Sequence, residues 1–311
     1  MPDWGTATPP QAVQKVPAQS RLIAALVVML LGIVCLDAMS AIVKALLPRY
    51  DALELSAWRN VIGMVPAVAV LWWMGELRDG MAGLRIRQWK LAYGRGLMVA
   101  LAQLCYYAAL GFEEFALVSA LGYTMNLFLV ALSIPILGEK VGPWRWAAVV
   151  LGFIGAVWIV KPGTASFTVY SLLPLIAAFF YALSFVTVRL IDTTVSNALL
   201  YLYSAIAAAL GSIVMVFFGD GFNPIASAAD MGMIITMGLL GGVGVLCMLI
   251  AVRMAEPSKL APFNYLGLIS AFAMGWLFFG EAPWADLFPG VLLIVGGGLL
   301  ILWREQVRGR G

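Results

Sequence analysis

The sequence predicts an all-α polytopic membrane protein whose ten transmembrane helices form two inverted five-helix repeats. Three observations carry that prediction. The 311 residues are 63% hydrophobic and only 11% charged, with a mean hydropathy of +0.96, whereas a soluble domain carries roughly 25% charged residues. Apolar residues fall in ten continuous runs, each near the roughly 20 residues a helix needs to cross hydrocarbon. Finally, "ILGEKVGPWRW" at 136–146 is echoed 142 positions later by "FFGEAPWADLF" at 278–288.

Residues 1–20 ("MPDWGTATPPQAVQKVPAQS") are too polar to insert and read as a disordered cytoplasmic tail. The first five runs cover about 22–47, 54–75, 89–110, 115–137 and 144–161, giving a first repeat over 21–162. The second five cover about 169–190, 195–218, 232–253, 259–279 and 284–303, giving a second repeat over 163–304, and 305–311 is a short cytoplasmic tail. Barrel strands would alternate in polarity over about ten residues, and these runs do not. Fourteen Lys and Arg fall on the side that holds both termini and three (Lys44, Arg49, Lys161) on the other, with Arg59 and Arg95 inside helices. By the positive-inside rule both termini are cytoplasmic in a multi-pass membrane protein.

Sliding the second half over the first by 142 positions aligns Cys105 with Cys247, Glu114 with Glu256, Tyr123 with Tyr265, Gly138 with Gly280 and Glu139 with Glu281. "AMSAIVK" (38–44) matches "ALSFVTVR" (182–189) at a slightly larger offset, as one small insertion would produce. A repeat of five helices, an odd number, enters the membrane from the side opposite to its copy. The loop with Arg78, Arg85, Arg87 and Lys90 is thus cytoplasmic, and its counterpart with Asp220 and Asp230 is not. Such halves can open a midplane cavity to either side, the geometry of alternating access.

The duplicated five-helix unit, the "GE" closing the fourth and ninth helices, and the glycine-rich fifth and tenth helices ("LGFIGAVWIVKPG", "LLIVGGGLLIL") resemble the EamA-type exporters of the drug/metabolite transporter superfamily. The resemblance covers essentially the whole chain after residue 21 and is greatest to bacterial exporters of aromatic and other amino acids. It implies a basket of ten helices around a central cavity, with helices five and ten as packing or dimer-facing elements, which leaves room for a homodimer. Glu139 and Glu281 become helix-end residues under it. The implied function is secondary transport that exports small amphipathic metabolites, amino acids first among them; a multidrug or other metabolite exporter, or a passive facilitator without ion coupling, is the alternative.

Other classes lack their chemistry. With no histidine the chain is without the commonest base and metal ligand, and no HExxH, GxSxG or nucleotide-binding loop is present, so neither an enzyme nor an ATP-driven pump is read. No cofactor or metal is expected. Cys35, Cys105 and Cys247 lie within apolar runs and behave as small hydrophobes. A net charge of +3 without an arginine-rich stripe gives no nucleic-acid partner; the partners expected are a small-molecule substrate and the lipid bilayer.

Asp37, Ser40 and Lys44 lie at i, i+3 and i+7, on one face of the first helix. Asp37 is the only carboxylate well inside any run, either a proton carrier or the partner of a substrate ammonium, with a structural pair to Lys44 or Arg59 as the competing reading. Arg59 and Arg95 could meet a substrate carboxylate with a bidentate fork, although Arg95 lies near enough to the cytoplasmic boundary to be read as snorkelling. Gln103, Tyr106 and Tyr107 make a polar stretch in helix three; Ser119, Tyr123 and Asn126 share a face of helix four; Tyr181 with Ser184, and Asn264 with Tyr265, do the same in helices six and nine. Polar side chains avoid lipid, so these faces point inward, with the repeat-related Tyr123 and Tyr265 on opposite walls of one cavity. The substrate-binding set is therefore Asp37, Ser40, Lys44, Arg59, Gln103, Tyr107, Tyr123, Asn126, Tyr181, Ser184, Asn264 and Tyr265. Trp72, Trp73, Trp89, Trp144, Trp146, Trp284 and Trp303 read as interfacial belts, and Pro66, Pro135 and Pro174 as kinks.

Overall fold

The computed structural model describes residues 18–77, 86–138, 142–161, 168–192, 194–219, 221–254, 260, 263–281 and 287–308. The apolar runs fold as helices because hydrocarbon gives backbone N–H and C=O groups no partner but each other. The first three runs are α1 (Ala18–Leu46), α2 (Ala52–Trp73) and α3 (Trp89–Phe112). The fourth is divided at Tyr123 and Thr124 into α4 (Phe115–Gly122) and α5 (Met125–Leu137), and the fifth is α6 (Pro143–Val160). A 3-10 turn (Val169–Leu172) leads into α7 (Leu173–Val186) and a second one (Thr187–Leu190) ends it; α8 (Asn197–Phe218), α9 (Ala228–Met254), α10 (Leu266–Phe279) and α11 (Gly290–Arg308) follow.

Among the described residues, seven helical stretches are long and apolar enough to cross a membrane, and Trp146–Val160, Leu266–Phe279 and Gly290–Leu300 are shorter apolar helices. The outward faces are apolar: Leu31, Val65, Trp158 and Phe217 are all more than half exposed, a surface suited to lipid. Trp72, Trp73, Trp89, Trp144 and Trp146 are exposed at helix ends; Trp284, the Trp303 side chain and Glu139 lie outside the described residues.

Local chemistry sets the helix ends. The Asp51 carboxylate accepts the Ala52 N–H (2.7 Å) where α2 starts, and Ser196 Oγ accepts the Leu199 N–H (3.2 Å) where α8 starts, each satisfying a donor left free by the first turn. Both α5 and α10 stop at a glycine in the left-handed region, Gly138 (φ 69°) and Gly280 (φ 66°). A side chain there would cost about 1–2 kcal/mol, which explains the glycine of the repeated "GE". Pro66 and Pro135 sit inside α2 and α5, whereas Pro174 occupies the first turn of α7, where no helix bond is lost and no kink is needed.

The packing exchanges the two halves. α1 packs on α9 as α3 does on α7, α2 packs on α9 as α3 does on α8, and α1 meets α10 as α7 meets α4 and α5; α2 with α8, α4 with α10 and α6 with α11 are their own counterparts. In the α6–α11 seam, added Cβ atoms at Gly155 and Gly297 would come within 2.5 Å and 2.6 Å of the carbonyl oxygens of Gly290 and Ala148, so these backbones touch directly.

Polar contacts define two ends. At end A, Lys44 in the last turn of α1 pairs with Glu281 just past α10, Tyr50 Oη donates to Asp230 Oδ2 (2.9 Å) and Arg49 pairs with Asp230 (2.6 Å) in the first turn of α9. At end B, Gln88 donates to Leu190 O (3.1 Å) and accepts the Asp192 N–H (2.9 Å), and Ser196 Oγ donates to Glu76 Oε2 (2.7 Å). α1 therefore finishes at end A and α7, its counterpart, at end B. A fully buried cluster including Leu46, Leu55, Leu110, Phe115 and Met237 fills the interior toward end A.

Candidate functional site

Between the halves lies a cavity of about 290 Å³. Ten of the twelve residues expected at the site line it: Asp37, Ser40, Arg59, Gln103, Tyr107, Tyr123, Asn126, Tyr181, Ser184 and Asn264. They converge because each lies on the polar stripe of an otherwise apolar helix, and the stripes face one another. At end B the lining reaches Leu200 and Leu249, close to the helix ends joined by the Asn197 Nδ2 to Leu249 O bond (3.1 Å).

Two expected residues lie elsewhere. Lys44, one turn beyond Ser40, is too close to end A to reach the cavity; its Nζ pairs with Glu281 and donates to Glu113 O (2.9 Å). The other Glu281 oxygen accepts the Phe115 N–H (2.7 Å), capping α4 from a distant helix. Tyr265 is 7% exposed and backs the wall, its ring 5.7 Å from that of Tyr123. The two tyrosines thus touch rather than face each other across the cavity, since α4 packs on α10. Each also marks an interruption of its run, Tyr123 between α4 and α5 and Tyr265 at the turn before α10.

Hydrogen bonds organise the walls. Asn60 Nδ2 donates to Gln103 Oε1 (2.8 Å) and Ser212 Oγ (3.2 Å), and Ser56 Oγ donates to Gln103 Oε1 (3.1 Å), tying α2, α3 and α8 into one polar layer. Arg59, 4% exposed, donates to Asn60 Oδ1 (3.0 Å) and Gly241 O (3.2 Å), while its Nε makes no hydrogen bond. Arg95 does not snorkel: it is 8% exposed and donates to Ser184 O (2.8 Å) and Ser204 Oγ (3.1 Å). The Asp37 carboxylate accepts from Ser270 Oγ. Among the described residues the ion pairs are Lys44 with Glu281 and Arg49 with Asp230. Asp37 is therefore paired with neither Lys44 nor Arg59, and the cavity wall carries one carboxylate and two guanidiniums without ionic partners.

Sequence reasoning left out Asn60, Tyr201 and Ser204, which also line the cavity. The signal was present: Ser56 and Asn60 at i, i+4, and Tyr201 and Ser204 at i, i+3, are short polar stripes in apolar helices.

The sequence profile of the EamA-like transporter family matches residues 23–161 and again residues 168–303. This chain belongs to the EamA-like transporter family. It is a metabolite transporter of the drug/metabolite superfamily and not an enzyme. Among curated relatives, this EamA-like chain is 30% identical over 258 residues to a riboflavin transporter of Brucella anthropi, covering 80% of this chain and 87% of that one. It is 26% identical over 260 residues to the pseudopaline exporter CntI of Pseudomonas aeruginosa (83% and 88% covered) and 25% identical over 212 residues to an S-adenosylmethionine uptake transporter of Rickettsia prowazekii (68% and 71% covered). A solved crystal structure at 18% identity has the same fold as the EamA-like chain, with a TM-score of 0.62 over 90% of this chain and 96% of that one.

Proposed function

We propose that this EamA-like protein is a secondary transporter that moves a small amphipathic metabolite through the central cavity by alternating access. The arrangement we propose is ten spans in the bacterial inner membrane, two inverted halves over 21–162 and 163–304, and both termini cytoplasmic, so that end B faces the cytoplasm. The observation that carries this reading is a cavity walled by both halves that brings Asp37, Arg59, Arg95 and five tyrosines together inside an apolar bundle. Polar groups buried at membrane depth are costly and are retained where a solute or ion uses them. The exchange of helix pairings between the halves supports the inversion, and the apolar outer faces of α6 and α11 leave room for a second copy.

Within that reading the substrate is an amino acid, aromatic or otherwise neutral: Asp37 suits its ammonium, an arginine its carboxylate, and the tyrosine walls its side chain. Riboflavin, the name carried by the 30% identical relative, is the competing solute, favoured by the same tyrosine walls. Export is the proposed direction; relatives are named both as exporters and as uptake transporters. The test is uptake of radiolabelled phenylalanine, methionine and riboflavin into proteoliposomes, with and without an imposed pH gradient. Saturable uptake of an amino acid with transient overshoot is the expected result. Dissipation without overshoot would make the protein a facilitator, and uptake of riboflavin alone would overturn the amino acid reading.

A further inference from the structure

Arg59 and Arg95 stand in equivalent corners of the two halves. Arg95, on α3, reaches α7 at Ser184 O and α8 at Ser204 Oγ. Arg59, on α2, reaches α9 at Gly241 O, and an added Cβ at Gly241 would meet both Arg59 Nε and the Met39 sulfur of α1. The trio α3, α7 and α8 becomes α9, α1 and α2 when the halves are exchanged. The correspondence extends to residues, because Arg59 is seven residues into α2 and Ser204 seven residues into α8. Depths are reversed: Arg59 lies about 10 Å from end A and Arg95 about 9 Å from end B, at 1.5 Å per residue.

Both guanidiniums are buried, both line the cavity, and among the described residues neither is in an ion pair. A buried cation left without an anion is strongly unfavourable unless a ligand supplies one. Arg59 Nε is buried beside Gly241 and makes no hydrogen bond, so the guanidinium that lines the cavity keeps an unsatisfied donor. Neutral solutes need neither group.

We infer that Arg95 and Arg59 are successive stations for one anionic group of the transported solute, a carboxylate or a phosphate, with Arg95 receiving it from end B and Arg59 holding it for exchange at end A. This rests on the transport reading above. A bidentate fork suits the planar two-oxygen edge common to both anions. Placement in matching helix corners at opposite depths gives the anion one guanidinium toward each end of the cavity.

The experiment uses proteoliposomes of known orientation and three probes: phenylalanine, phenylalaninamide, which lacks the carboxylate, and phenyl phosphate. Wild type is expected to move an anionic probe and to discriminate against the amide by about tenfold or more, the effect of one charge-assisted hydrogen bond. Phenylalanine preferred over phenyl phosphate assigns a carboxylate, and the reverse a phosphate. Arg95→Gln should raise KM about tenfold for entry from end B with a smaller change from end A, and Arg59→Gln should do the opposite. Arg95→Lys and Arg59→Lys keep the charge but lose the fork and should fall between, which separates recognition from a folding defect. Equal KM changes from both ends, or amide transport equal to phenylalanine, would overturn the inference and leave transport intact. A folded wild type that moves none of the probes, nor riboflavin, would overturn the substrate reading on which the inference rests.

Discussion

The Lys44–Glu281 pair ties the end of α1 to the end of α10 at end A, and if it holds that end shut its removal offers a measurable change. Lys44 and Glu281 side chains are 14% and 19% exposed, between the surface pairs worth up to about 1 kcal/mol and buried ones whose disruption costs about 3–5 kcal/mol. Breaking the pair should therefore cost the closed arrangement about 2 kcal/mol, a shift of about 30-fold toward opening at end A. Ser40 lines the cavity one turn below Lys44, and its hydroxyl donates to Leu36 O of its own helix (2.9 Å), so Ser40→Cys is a mild reporter. In a chain with Cys35, Cys105 and Cys247 changed to Ala, a membrane-impermeant thiol reagent added to intact cells should label Cys at 40 about 30-fold faster once Lys44→Ala is introduced. The exchange Lys44→Glu with Glu281→Lys should restore most of the protection. A residual increase of up to about fivefold remains, because a lysine at 281 faces the α4 N-terminus that Glu281 caps. A folded Lys44→Ala protein that labels at the parental rate would refute the assignment of this pair as the closure of end A.

Other outcomes follow from the same geometry. Asp37→Asn should abolish overshoot with an imposed pH gradient and spare downhill exchange, as read by tracer flux; undiminished accumulation would remove Asp37 from coupling. Gly138→Ala and Gly280→Ala should each destabilise by about 1–2 kcal/mol, because each residue has positive φ with open space around it; thermal unfolding in detergent reads this, and no change in either would contradict the backbone argument. Asn60→Ala should cost about 1 kcal/mol, the scale of polar contacts within membranes, and a cycle with Gln103→Ala should show coupling between the two. Gly297→Leu should prevent folding or strongly lower the unfolding temperature, because its side chain would displace the α6 backbone at Ala148.

Much of this arrangement was legible in the sequence, because the rules that wrote it are local. Run length gives the helices, a polar residue every three or four positions gives the inward stripes, and the repeated "GE" marks where the fourth and ninth runs close. Depth and partnership were less legible. Asp37, Ser40 and Lys44 share a face, but periodicity does not say where along that face the cavity stops, so pattern alone groups Lys44 with residues it lies above. Arg95 was read by its nearness to the boundary, whereas its fate is decided by Ser184 and Ser204 on helices far away in sequence. Tyr123 and Tyr265 were placed apart because they belong to different halves. They meet because α4 packs on α10, and which helices pack together is a property of the fold, not of pattern.

The α6–α11 seam has a practical consequence. Among the described residues none of either helix lines the cavity, and their backbones meet through glycines. The pair is therefore the molecule's keel: a fluorophore, tether or antibody fragment fixed to its outer face would ride on the frame and report movements of the cavity helices without obstructing them.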